Sequence, residues 1–323
     1  MSFDFQLLAR KLFTRKIFLE EDGEELALLR FAVALYEIEK FFLTEANPPR
    51  ALLLEQLQSL LDGAPDLATK QPDYFDFIED TIAHLSFLES QPVAERWLWR
   101  KEILSTAALE VPGMVHHDTM KYYRWLGGTL SGGGHAVEIG CWMGRSSHSL
   151  AEGLAANKSF QGCLLHALDA FTWDKWLDDY VDTHLDEFNP QVRASLERLR
   201  IGDSYMNLFV EFCRPFEHLI KPRSCFFYLD GKSGALPALD WNGEPIELLI
   251  QDISGGWPTA QKVWDIFMPS FISNKTVVVF QQYGHMRAEG LRRFCREHAD
   301  NLSPLHKPYG VAKAFRFTDE KVD

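Results

Sequence analysis

Cysteine is scarce and scattered in this chain of 323 residues: Cys141, Cys163, Cys213, Cys225 and Cys295 are all there are. The number is odd and no two form a CxxC, so neither a disulfide framework nor a zinc site is expected, and a reducing, cytoplasmic setting fits. An excess of positive charge is also lacking. Lys and Arg number 33 against 46 Asp and Glu, a formal net charge of -13, which repels phosphate backbones and argues against a nucleic-acid partner. No apolar run approaches the ~18 residues a transmembrane helix needs, and the start MSFDFQLLARKLF lacks the apolar core of a signal peptide, so no membrane partner is expected. GxGxxG, the P-loop and serine-nucleophile motifs are missing, as are base-reading modules.

What is present suffices for a sizeable core: 46% of residues are hydrophobic and 24% charged, ordinary values for a folded soluble protein. The length calls for two domains, or one with an extension. The first part has helical texture. Leu26, Leu29, Phe31, Ala32, Leu35, Tyr36, Ile38 and Phe41 recur near the 3.6-residue period. Asn47-Pro48-Pro49 breaks the pattern, and residues 51–61, 74–88 and 93–104 predict further helices. No Gly-rich loop or ligand-type cluster falls here. The region suits a lid, a docking element or the contact surface of a homo-oligomer. Val111-Pro112-Gly113 marks the joint, giving a helical region over 1–112 and a second domain over 113–323.

Beyond the joint, short apolar runs alternate with helical stretches, the pattern of a parallel sheet with crossover helices. Strands are expected at 136–141, 163–169, 225–229, 246–252 and 276–281. The fold class is α/β: a Rossmann-like, doubly wound, mostly parallel sheet preceded by the helical region. Ligands of such sheets lie beyond the carboxyl ends of the strands.

The first strand end is the most informative. Val137-Glu138-Ile139-Gly140-Cys141-Trp142-Met143-Gly144-Arg145-Ser146-Ser147 runs from strand through turn into helix. Gly140 and Gly144 permit a sharp turn and close approach of a ligand. Ser146 is expected to cap the following helix, whose amino end favours electronegative groups. The spacing is ExGxxxGxS, suited to a ligand with a ribose and an amino acid but no diphosphate. The plainer reading is a tight turn alone. Asp169, ending LLHALD, is placed to accept from ribose hydroxyls, or simply to cap the next helix. Asp230, ending CFFYLD, is either a third contact near the adenine end or a turn residue.

These residues resemble the class I S-adenosylmethionine-dependent methyltransferases, and within them the bacterial branch of cephalosporin-hydroxylase-like and macrocin O-methyltransferase-like proteins. The resemblance covers roughly Val115 to Arg316. Tyr122-Tyr123-Arg124-Trp125-Leu126 is similar to the leading helix, VEIGCWMGRSS to the first motif, and WNGEPIELLIQD, from Trp241 to Asp252, to the entry into the fourth strand. Val277-Val278-Val279-Phe280-Gln281-Gln282-Tyr283 is similar to the fifth strand. The resemblance implies S-adenosyl-L-methionine as cofactor, held by Glu138, Gly140, Cys141, Trp142, Gly144, Ser146, Asp169 and Asp230. It also implies O-methylation of a small-molecule or sugar acceptor in secondary-metabolite or glycan biosynthesis.

One departure stands out. Metal-dependent members carry DGDH or DGDx after the fourth strand and acidic residues after the fifth. This chain has Asp252-Ile253-Ser254-Gly255-Gly256 and then Gln281-Gln282-Tyr283. One carboxylate and two amides make a poor magnesium site, so no metal is expected. His285 and Asp252, which follow neighbouring strands, are the candidate catalytic residues: His285 as the base that deprotonates the acceptor, because the unperturbed histidine pKa lies near neutrality, or as an ordinary loop histidine, and Asp252 to orient the acceptor or the cofactor's amino group. His116-His117-Asp118 reads as a helix start capped by Asp118 rather than a metal cluster. Arg287, Arg292, Arg293 and Arg296 read as a solvated helix face. Trp142, Trp173, Trp176, Trp241 and Trp257 are expected in loops around the crevice or packed beneath them. The rival readings are a non-catalytic scaffold on the same fold and a dehydrogenase, the latter weakened by the missing GxGxxG.

Overall fold

In the computed structural model, residues 97–184, 188–225, 241–253, 256–284, 288–308 and 312–319 are described, with positions 58, 62, 79, 80, 82, 83, 86 and 87, which are helical. In chain order the elements are α1 (Thr106–Glu110), α2 (His117–Thr129), β1 (His135–Ile139), α3 (Arg145–Ala156), β2 (Leu165–Asp169), α4 (Lys175–His184), α5 (Pro190–Leu196), α6 (Met206–Phe212), β3 (Ile220–Ser224), β4 (Ile246–Gln251), α7 (Trp257–Phe267), β5 (Val277–Phe280), α8 (Glu289–Glu297), β6 (Leu302–His306) and β7 (Lys313–Phe317).

Every residue of β4 and β5 is buried, which is why IELLIQ and VVVF read as nearly continuous apolar runs rather than alternating ones. The sheet order is β3-β2-β1-β4-β5-β7-β6. Neighbours from β3 to β5 pair in parallel, and β7 is antiparallel to both β5 and β6. This is the expected Rossmann-like, doubly wound sheet of the class I methyltransferase type. One face packs Ala136, Leu248, Ile250 and Val279 against Tyr122, Tyr123 and Leu126 of α2 and Leu150 of α3. The other packs Val137, Ile139, Leu249 and Val278 against Val263 and Phe267 of α7 and Leu291 and Phe294 of α8. Each Val, Leu, Ile or Phe among them contributes about 1.5–3 kcal/mol on burial. Strand order reverses between β1 and β4, so the switch-point crevice opens at their carboxyl ends.

Several expectations need correction. The third strand among the described residues is Ile220–Ser224; of the strand expected at 225–229, Cys225 lies outside any strand and residues 226–229 lie outside the described residues. IKPRS is a half-exposed edge strand with a proline and two cations, features that blunt an edge and hide its periodicity. Of the helix expected over 93–104, the described part, 97–104, holds a single 3-10 turn at Leu98–Lys101. Trp99 leaves that turn to pack edge-on against Tyr122 at 4.9 Å and to donate to Asp118. Asp118 therefore does not cap α2; the cap is His116, whose Nδ1 accepts from the Asp118 amide. Arg292 is buried, not solvated, and donates to the Tyr283 carbonyl. The helix expected between 24 and 44 lies outside the described residues.

Candidate functional site

The turn after β1 is shaped by backbone contacts. Gly140 has φ +84°. Its N–H donates to the Leu168 carbonyl at 2.8 Å, and the Asp252 N–H donates to the Ile139 carbonyl at 2.7 Å. β4 thus lies so close that a Cβ on Gly140 would sit 2.0 Å from the Asp252 carbonyl oxygen. Trp142 follows at φ +41°, a left-handed conformation unusual for a bulky residue. Gly144, at φ +93°, is the N-cap of α3 and has no side-chain cap. Ser146 is accordingly not the cap; it lies buried in the first turn of α3.

Three carboxylates converge beyond β1, β2 and β4. Glu138 is fully buried; Ser147 donates to its Oε2, while Oε1 has no hydrogen-bond partner. Burial pushes its pKa up to about 7, opposed by the Ser146 and Ser147 hydroxyls and reinforced by the charges of Asp252 and Asp169. Asp252 is partly buried and also pushed up to about 7, by desolvation first and by Asp169 last, against a hydrogen bond from Gln282 Nε2 at 3.3 Å. Asp169 accepts from the Trp142 N–H at 2.9 Å, the Phe171 N–H at 3.0 Å and the Tyr205 hydroxyl at 2.6 Å. A carboxylate offers about four acceptor positions, so one remains.

Cys141 is buried, and burial raises its thiol pKa well above the ordinary range; it packs in the α2-side core. Asp230 and His285 lie outside the described residues. Residues to which the sequence analysis gave no role in the site complete the arrangement. Ser147 holds Glu138, Tyr205 holds Asp169, and Tyr123 donates to Gln281 Oε1 at 2.5 Å. Gln251, at the end of β4, buries both amide atoms without a partner. Ser147, Tyr123 and Gln251 stood in the stretches that carry the resemblance without a role, Gln281 was the amide where an acidic residue was awaited, and Tyr205 carried no signal.

Of the five tryptophans, Trp142 alone belongs to the turn; its ring meets Tyr180 edge-on at 5.6 Å. Trp173 is a core residue, Trp176 is an exposed residue of α4, and Trp257 donates to Glu297. Trp241 packs on His166 at the amino ends of the strands. There His135, His166 and Glu244 come together as ligand-type side chains. The Leu164 N–H donates to His135 Nδ1 at 3.1 Å, which places the ring proton on Nε2, 3.7 Å from Glu244. His166 Nε2 lies 3.2 Å from the same Nδ1, so that nitrogen of His135 is already engaged by protein groups.

The turn's chemistry is selective. Glu138, Asp169 and Asp252 are acceptors that suit a ligand bearing positive charge and hydroxyls. The one cation of the turn, Arg145, donates to the carbonyls of Val111 and Leu109, so it is not presented to a diphosphate. Glu138 Oε1 is closed off from solvent and without a partner, and Asp169 keeps one acceptor position.

No protein-family model matches the chain, and no curated protein matches it. Among solved structures it is similar to the O-methyltransferase NovP (12% identity, TM-score 0.43, covering 64% of this chain and 82% of that one). It is also similar to a Bacillus cereus O-methyltransferase solved in complex with SAH (14% identity, TM-score 0.41, covering 71% and 99%). A third is CalS11, a TDP-rhamnose 3'-O-methyltransferase of calicheamicin biosynthesis (13% identity, TM-score 0.37, covering 94% and 99%). At these scores the likeness adds nothing to what the strand order itself shows. No helix among the described residues is long and apolar enough to cross a membrane.

Proposed function

We propose that the chain is an S-adenosylmethionine-dependent methyltransferase that methylates a hydroxyl of a small molecule or sugar unit, without a metal, in secondary-metabolite or glycan biosynthesis. The observation that carries this reading is the convergence of Glu138, Asp169 and Asp252 at the β1/β4 switch point, with Glu138 Oε1 buried and unpaired. When bound, the cofactor supplies an electrophilic methyl group on a sulfonium.

The protein's part is to hold and orient. Glu138 and Asp169 face the cationic and hydroxyl groups of the cofactor. The turn from Gly140 to Gly144 sets its distance from the strand ends. Asp252, with its carboxyl pushed up to about 7, is matched to taking a proton from an acceptor hydroxyl near neutrality; His285 is a second candidate for that role. Residues 1–112 serve as a lid, docking element or dimer contact.

A second reading, a non-catalytic binding protein on the same fold, is favoured by one fact: three protein donors already occupy Asp169. Calorimetric titration with S-adenosylhomocysteine, with NAD as control, separates the alternatives. Micromolar binding of the former alone supports the methyltransferase; binding of neither moves the scaffold to first place. Methylation that EDTA abolishes would refute the metal-free part.

A further inference from the structure

Asp252 and Gln281 stand side by side, one step beyond the last register pair of β4 and β5, Gln251 with Phe280. The Gln281 N–H is held on the Gln251 carbonyl at 2.9 Å. Neighbouring strands lie about 4.8 Å apart, so the two side chains can meet neighbouring atoms of one ligand. The orientation of the Gln281 amide is determined. Tyr123 is fully buried, and its hydroxyl bonds to Gln281 Oε1 at 2.5 Å. Burial, with the charges of Asp252 and Glu138, raises the phenol pKa well above its ordinary value, so the phenol keeps its proton and must donate it to an oxygen. Oε1 therefore turns to Tyr123, and Nε2 is left as a free donor. No described residue accepts from Gln281 Nε2 or donates to Asp252 Oδ2.

We propose that Gln281, aimed by Tyr123, is the residue that selects the acceptor: its Nε2 donates to an oxygen on the carbon next to the one being methylated. This rests on the methyltransferase reading above. The reacting hydroxyl gives its proton to the Asp252 carboxylate as its oxygen bonds to the methyl carbon of S-adenosylmethionine. The sulfur–methyl bond breaks and its electron pair stays on sulfur, leaving S-adenosylhomocysteine. The substrate class is then a compound with oxygens on adjacent carbons; an isolated hydroxyl engages Asp252 alone.

The test is saturation-transfer NMR on protein saturated with S-adenosylhomocysteine, with cis-cyclohexane-1,2-diol and cis-cyclohexane-1,3-diol as probes. The 1,2-isomer is expected to bind about fivefold more tightly, the worth of one neutral hydrogen bond. Gln281→Leu should erase the preference and Tyr123→Phe should reduce it, both leaving S-adenosylhomocysteine affinity within about twofold. Gln281→Met, of similar length and without a donor, repeats the measurement if the leucine variant melts early. Equal binding of the two isomers, no binding of either, or a preference that survives Gln281→Leu overturns the proposal. Failure to bind S-adenosylhomocysteine is a separate result that refutes the methyltransferase reading and takes this proposal with it.

Discussion

Replacing Gly140 by alanine should damage the protein far more than an exposed glycine with the same backbone would suggest. At φ +84° any L side chain incurs left-handed strain of about 1–2 kcal/mol. The added Cβ would also lie 2.0 Å from the Asp252 oxygen, 2.8 Å from its carbonyl carbon and 2.8 Å from Ile253 Cγ2. A backbone oxygen cannot swing aside as a side chain can. The strands are pinned on both sides of the contact by the bonds from Gly140 to Leu168 and from Asp252 to Ile139. Overpacking of this kind costs about 1–3 kcal/mol more, for a total of about 2–5 kcal/mol. Gly162 provides the control, because it has φ +82° and nothing within 4 Å of its would-be Cβ. Gly162→Ala carries the strain without the collision, and the unfolded-state entropy change is common to both variants. Urea unfolding should therefore place Gly140→Ala about 1–3 kcal/mol below Gly162→Ala, and calorimetry should show S-adenosylhomocysteine affinity lost in the former only. Equal stabilities for the two would refute the claim that the β1/β4 approach demands glycine.

Asp169→Ala removes the acceptor of three hydrogen bonds and should both destabilise the protein and weaken S-adenosylhomocysteine by about 1–3 kcal/mol; unchanged affinity in calorimetry would leave Asp169 a purely structural residue. Gln251→Met removes an amide buried without partners and should leave the urea midpoint unchanged or raise it; a large fall would show that the amide is satisfied. The contribution of Glu138 and Asp252 to stability should fall as pH rises from about 5 to 7: their folded pKa values are raised to about 7 from 4.5 and 3.8, so in this window these two groups hold more protons in the native state than in the unfolded chain and their slope is negative. His166 and His306, whose burial lowers their pKa values to about 4 from 6.5, contribute the opposite slope. Glu138→Gln should therefore shift the pH slope of stability upward in urea melts, and an unchanged slope would remove Glu138 as a contributor.

The sheet was legible where burial on both faces wrote itself into the sequence. HAVEI, IELLIQ and VVVF are runs of apolar and β-branched residues, and their carboxyl ends pointed to the crevice. β3 was not legible, because an edge strand written IKPRS has no apolar period. The turn was readable from Gly140 and Gly144, but the reason for Gly140 was not: it answers to the Asp252 carbonyl, 112 positions away by number (252 − 140). Of the partners that hold the carboxylates, Ser147 closes the first motif and Gln282 lies in the fifth-strand stretch, yet nothing in the spacing told that they bond Glu138 and Asp252, and Tyr205 belongs to no quoted motif. Asp118 and Arg292 misled for the same reason. A helix start and a run of arginines look solvated until Trp99 and Tyr283 arrive from elsewhere in the chain.

The three carboxylates at the switch point set an electrostatic problem that the cofactor's own charge would solve. Near neutrality Glu138 and Asp252 are each about half protonated, and Glu138 in addition has an oxygen with no partner. A bound cation favours the ionised forms, so both groups should titrate lower in the complex and protons should leave on binding. S-adenosylmethionine carries a sulfonium charge that S-adenosylhomocysteine lacks. The two ligands should therefore differ: the former should release more protons at pH 7, and its affinity should rise more steeply between pH 6 and 8. Calorimetry in buffers of different ionisation enthalpy counts those protons directly. Identical proton release for the two ligands would mean that the sulfonium does not sit among these carboxylates, and the assignment of Glu138 and Asp252 to the methyl-bearing end of the site would fall with it.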